Sequence, residues 1–124
     1  MAGSTAKYGD HYLVDLHDCD AALIGAVKPT EEALLSAAKR CGSTIIEYHF
    51  HQFMPQGVSG VILIAESHFS VHTWPEDGFV AVDVFTSGEV MQPDVAISIL
   101  EEAFSAGRVD VMKVTRGQLK NDAG

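Results

Sequence analysis

Basic residues are scarce: eight Lys and Arg stand against seventeen Asp and Glu in 124 residues, a net charge of −9. Phosphate binding needs clustered cations, so this balance argues against a nucleic-acid partner. Cysteine is nearly missing too. Cys19 and Cys41 cannot build a disulfide framework, and they suit a cytoplasmic location with both thiols reduced. No apolar run approaches the roughly 20 residues that span a bilayer, so no membrane association is expected. The opening MAGSTAKYGD has neither the basic region nor the apolar core of a secretory leader. Internal repeats, linkers and low-complexity tracts are absent as well. What remains is one domain, residues 1–124, that is 47% hydrophobic and 20% charged. It is long enough to bury a core.

Periodicity supplies the architecture. Tyr12, Val14 and Leu16 alternate with Leu13, Asp15 and His17 as in a strand. Pro29, Thr30, Glu31 and Glu32 open a helix, with Thr30 as its cap and acids at the positive end of the dipole. Leu34, Leu35 and Ala38 form the apolar stripe; Lys39, Arg40 and Gly42 close it. Residues 43–53 return as a strand with Ile45, Glu47, His49 and His51 on one face and Ile46, Tyr48, Phe50 and Gln52 on the other. Residues 58–65 are a nearly continuous apolar strand, expected at the centre of the sheet. Strands follow at 69–73 and 79–86, separated by a turn at 75–78. Pro93 and Asp94 start a second helix carrying Val95, Ile99, Leu100 and Ala103, ended by Gly107 before a last strand at 109–114. The order β-α-β-β-β-β-α-β with short turns predicts an α/β (α+β) two-layer sandwich. Its sheet is mainly antiparallel, with two helices on one face. The uncovered face mixes His, Glu and Ser with aliphatics, as a dimer interface lined with chemistry would.

The stretch ESHFSVHTWPEDGFVAVDVFTSGE, residues 66–89, gathers the reactive side chains. His49 and His51 share a strand face, and His68 and His72 lie on another. Without a Cys-x-x-Cys pair, and with His68 and His72 about 13 Å apart at strand rise, these predict hydrogen-bonded histidines rather than zinc ligands. A Ser-His-acid hydrolase would need a Gly-x-Ser-x-Gly elbow, which is missing. On residue type alone Ser67 is a strand-end serine bonding its own backbone.

A resemblance carries the reading further. Gln56-Gly57-Val58-Ser59-Gly60, Glu66-Ser67-His68, His72-Thr73-Trp74-Pro75-Glu76 and Asp83-Val84-Phe85-Thr86-Ser87-Gly88 are similar to motifs of the bacterial and archaeal S-adenosylmethionine decarboxylases. The similarity runs from about Tyr8 to Arg116 and is densest from His51 to Glu89. It implies a small α/β sandwich that dimerises into a four-layer assembly.

It also implies a chemistry. Decarboxylating an amino acid requires an electron sink, and no phosphate-cradling glycine loop here suggests pyridoxal phosphate. The family makes a pyruvoyl group from an internal serine. By resemblance, the Ser67 hydroxyl attacks the Glu66 carbonyl, and the resulting ester loses the Ser67 Cα proton. The products are residues 1–66 (the β chain) and residues 67–124 (the α chain) headed by pyruvoyl, which forms a Schiff base with the substrate. His72 matches the proton acceptor in processing, and Ser59 a hydroxyl that assists it. Phe53 and Trp74 would contact the adenine and Glu76 the ribose. No metal is implied. S-adenosylmethionine is the expected substrate, for polyamine synthesis through spermidine, and a homodimer with two active sites at its interface is the expected assembly.

One departure stands out. Ser87 occupies the position of the cysteine that protonates the carbanion in the family, and a thiol is a far stronger acid than a hydroxyl. Ser87, with the acidic Asp15 and Asp18, leaves open a same-fold decarboxylase of ornithine or arginine, or a non-catalytic homologue that binds or regulates.

Overall fold

The structure, a computed structural model, describes residues 8–65, 67–87 and 90–117. Its frame is one six-stranded sheet: β1 (Gly9–His17), β2 (Ile45–Gln52), β3 (Val58–Ile64), β4 (Ser67–Trp74), β5 (Phe79–Thr86) and β6 (Arg108–Arg116). The spatial order is β2-β3-β4-β5-β1-β6, and every neighbouring pair is antiparallel. Helices α1 (Ala21–Ile24), α2 (Val27–Arg40) and α3 (Pro93–Ala103) pack on one side. The predicted two-layer sandwich is thus observed, with α1 as an additional single turn.

Strict alternation explains why one face is dry. In β5 the side chains of Val80, Val82, Val84 and Thr86 are buried while the residues between them are half-exposed. The register sets Phe69 opposite Val84 and Val71 opposite Val82, and Ile62 opposite Phe69, so all these side chains point to the helices. The helices meet them through Ala33, Leu34, Ala37 and Ala38 of α2 and through Ala96, Leu100 and Phe104 at α3. Alanines let the helix backbone approach closely, and Leu34, Phe69 and Phe104 fill the layer between. Gly60 is needed for the same packing: a Cβ there would stand 2.1 Å from the Phe50 ring.

Four expectations change. Helix α2 begins at Val27, not at Thr30. Thr30 is fully buried, its hydroxyl directed to the Leu23 carbonyl, and the helix start is held instead by Gln52 from β2. A bulge between Ile45 and Glu47 inverts the alternation, so Ile45 joins Phe50 against the core instead of sharing a face with Glu47. Strand β3 lies between β2 and β4 rather than at the centre. It reads as continuously apolar because Val61 and Leu63 sit, exposed, on the face without helices. Ser67 does not end the preceding strand; it opens β4, opposite Ile64 and Thr86.

The open face carries two kinds of surface. Leu13, Val61, Leu63, Met112 and Val114 are exposed hydrocarbon. Between them lies a polar hub: Asp83 accepts from Ser70 Oγ at 3.0 Å and contacts His11 Nε2 at 3.1 Å. Among the described residues no helix is long and apolar enough to cross a membrane.

Candidate active site

Ser59 of β3 and His72 of β4 stand directly opposite one another. Ser59 Oγ and His72 Nδ1 are 2.8 Å apart, a full hydrogen bond. Beside them opens a cleft of about 310 Å³ lined by Phe53, Gln56, Gly57, Ser59, His72, Thr73, Trp74 and Glu76. Five of the residues singled out in the sequence therefore meet in one place: Phe53, Ser59, His72, Trp74 and Glu76. Phe53 and Trp74 are 47% and 41% exposed, so two aromatic faces are offered to a ligand rather than to the core. Each is flanked by an imidazole, Phe53 by His51 at 4.6 Å between centroids and Trp74 by His72 at 6.3 Å.

The walls of the cleft are held by two side chains that were given no role in the sequence, Gln52 behind the lining and Thr73 within it. Gln52 Oε1 accepts from the Val27 amide at 2.7 Å. Its Nε2 donates to the carbonyls of Gly25, Phe53 and Gly57 at 3.0, 2.9 and 3.1 Å. One side chain thus caps α2 and closes the loop that carries Phe53 and Gln56. Thr73 ties the other wall: it donates to the Ile24 carbonyl at 2.7 Å and accepts from the Val58 amide at 2.9 Å. Strand period gives the face of Gln52 but not these partners, of which Val27 and Gly25 lie 25 and 27 residues away. Gln52→Ala is expected to cost about 1–2 kcal/mol, mostly from leaving the half-buried Val27 amide without a partner, since the Gly25 and Gly57 carbonyls keep backbone donors. Thermal unfolding should show this as a fall in Tm of roughly 5–10 °C.

Ser67 lies elsewhere. It heads β4, five residues before His72, which places the two about 17 Å apart along one strand. Its Oγ is 3.4 Å from His68 Nδ1. Ser87 is exposed and directly follows Thr86, the residue opposite Ser67, so Ser67 and Ser87 share one end of the sheet. Glu66, Gly88 and Glu89 lie outside the described residues. The sequence-predicted site residues thus fall into two groups at opposite ends of β4.

Neither cysteine joins them. Burial, with the Asp18 carboxylate adding to it, pushes the Cys19 thiol up to about 11, and burial also raises that of Cys41. Both are free and buried on the helix side, so neither replaces the thiol that Ser87 lacks. No group of three or more His, Cys, Asp or Glu among the described residues is placed to hold a metal ion.

The family model for S-adenosylmethionine decarboxylase matches residues 10–117. A protein of Acidithiobacillus ferrooxidans named S-adenosylmethionine decarboxylase proenzyme is 46% identical over 111 residues, 90% of this chain and 84% of that one. Its namesake from Pyrococcus abyssi is 43% identical over 114 residues, 92% of this chain and 82% of that one. The crystal structure of adenosylmethionine decarboxylase from Aquifex aeolicus superposes with a TM-score of 0.84 at 36% identity, covering 95% of this chain and 98% of that chain. These names favour S-adenosylmethionine decarboxylation over the ornithine or arginine alternative. With its motifs, its antiparallel sheet and these matches across nine-tenths of its length, the chain belongs to the S-adenosylmethionine decarboxylase family.

Proposed function

We propose that this chain cleaves itself between Glu66 and Ser67 and decarboxylates S-adenosylmethionine, supplying the aminopropyl donor for spermidine synthesis. The observation that carries this reading is the Ser59–His72 pair set in a cleft walled by Phe53, Trp74 and Glu76. Two exposed aromatic faces suit an adenine, and the Glu76 carboxylate suits a pair of ribose hydroxyls. The acidic chain favours a substrate that carries a sulfonium and an ammonium.

The residue that would become the cofactor fits that role. Ser67 is fixed on both sides by the β3 and β5 ladders, and its hydroxyl faces a ring nitrogen. The pyruvoyl group on residue 67 would supply a keto carbon to hold the substrate amine and an adjacent amide carbonyl to draw off the electrons as CO₂ leaves. The chain's own residues do the rest. His72, held by Ser59, accepts the Cα proton during processing; Phe53, Trp74 and Glu76 bind and orient the nucleoside. Ser87, beside residue 67, holds the proton that returns to the substrate carbon. No metal or pyridoxal phosphate enters this scheme, and the protein works in the cytoplasm.

The working unit is a homodimer. Ser67 and His72 of one chain are about 17 Å apart, too far to act on the same atoms. A two-fold axis lying between two open faces and across the strands reverses strand direction, bringing the Ser67 end of one copy over the His72 end of the other. The same contact covers Leu13, Val61, Leu63, Met112 and Val114. It also closes a cleft that, at about 310 Å³, is at the small end for a ligand site.

Carboxyl-labelled S-adenosylmethionine incubated with cleaved protein should release labelled CO₂. Fully cleaved protein that releases none would remove the reading in favour of a non-catalytic homologue. Ser87→Cys, which restores the stronger acid, should raise turnover about tenfold, equivalent to about 1.4 kcal/mol of barrier. The same label measures it.

A further inference from the structure

We propose that His68 is the base that starts self-cleavage, its Nδ1 taking the proton from the Ser67 hydroxyl. This rests on the reading of Ser67 as the cofactor precursor. His68 Nδ1 lies 3.4 Å from Ser67 Oγ, long for a resting hydrogen bond but short enough to tighten as the hydroxyl turns to attack. His72 cannot serve this hydroxyl within its own chain. It is about 17 Å along the strand, and its Nδ1 is engaged by Ser59 at 2.8 Å.

The His68 ring is well held for the task. Leu63 stands opposite it on β3 and Phe85 opposite it on β5. The Phe85 ring lies 5.9 Å away at 58°. These hydrocarbon neighbours confine the imidazole without offering its Nδ1 a competing donor. The side chain is half-buried, which limits water at the reacting pair.

The step balances. With its own proton on Nε2, neutral His68 accepts the hydroxyl proton on Nδ1 as Ser67 Oγ bonds to the Glu66 carbonyl carbon. The bond from that carbon to the Ser67 nitrogen then breaks, and the imidazolium returns the proton to the nitrogen. An amide has become an ester with a free amine, and nothing has been oxidised or reduced. The Cα proton is removed afterwards, at His72. Two histidines therefore act on two successive steps, one from within the chain and one from across the dimer.

Intact-mass spectrometry of the full chain, without substrate, separates the two. His68→Ala should slow cleavage at least 100-fold, the lower range for loss of a general base. It should accumulate an amide that hydroxylamine leaves whole. His72→Ala should instead accumulate an ester that hydroxylamine cuts. His68→Gln keeps size and hydrogen bonding without basicity, and it should cleave as slowly as the alanine variant. Added imidazole should restore part of the rate to His68→Ala and none to Ser67→Ala. Cleavage of His68→Ala and His68→Gln within about threefold of an actively cleaving wild type would overturn the proposal, against the 100-fold loss expected of a general base. So would an ester accumulating in either variant. A wild-type chain that never cleaves would remove the reading of Ser67 itself, and this inference with it.

Discussion

A chain carrying Ser67→Ala should remain at a single mass indefinitely and release no CO₂ from S-adenosylmethionine. The change removes the attacking oxygen, and the acyl shift needs a hydroxyl on residue 67 itself, which a neighbour such as Ser87 does not supply. Ser70 lies on the open face with its hydroxyl committed to Asp83 at 3.0 Å, and Thr86 opposite Ser67 is buried. The loss should therefore be complete rather than partial, because without cleavage no carbonyl forms at residue 67. Stability should hardly move. Ser67 keeps its place through backbone pairing with Ile64 and Thr86, and the alanine forfeits one long side-chain hydrogen bond. A cost of under about 1 kcal/mol is expected, so a melting curve close to wild type separates lost chemistry from lost folding. Intact mass decides the matter, since persistent cleavage of this variant would place the nucleophile elsewhere.

The sheet was legible because its strands are one-sided. The clean alternation of β5 gives both the strand and the buried face, and the short turns leave little room for parallel crossovers. The turn at Pro75–Asp77 was equally plain, ending at Gly78 with φ +62°, a left-handed conformation that glycine adopts freely. What stayed hidden depends on contacts distant in sequence. Thr30 has the chemistry of a cap, but Gln52, twenty-five residues from Val27, takes the helix start and leaves Thr30 to the core. The bulge at Ile45 inverts a face without any glycine or proline to announce it. The His11–Asp83–Ser70 hub joins three strands whose pairing no local pattern fixes.

The candidate site divides in the same way. Local spacing sets Phe53 near Ser59 and His72 near Trp74 and Glu76, and β3 pairing on β4 brings those residues together. Spacing also sets Ser67 five residues from His72, a rise of about 7.5 Å in a helix but about 17 Å in a strand. Both lie in the single strand β4 and so stand apart within one chain. That is a statement about period, 3.3 Å per residue against 1.5 Å, and it is the ground on which a second copy is proposed.

Mixing two dead variants should therefore give live enzyme. Ser67→Ala lacks the cofactor precursor but keeps Ser59, His72 and the aromatic cleft; His72→Ala lacks the processing base but keeps Ser67. Each homodimer carries the same lesion in both sites and should be inactive. In a mixed dimer one site combines intact Ser67 from one chain with intact His72 from the other, while the second site collects both lesions. If subunits pair at random, half the dimers are mixed and each has one working site, so roughly a quarter of wild-type sites should form. Co-expressed with distinct tags and purified through both, the mixed dimer alone should reach about half of the wild-type activity. Cleavage should appear only in the His72→Ala chain, the one that still has Ser67, and intact mass reads this directly. The effect is from nothing to half, larger than any adjustment of a single side chain in the cleft. A doubly tagged dimer in which neither chain cleaves would show that Ser67 and His72 must belong to the same chain, and the composite site would be abandoned.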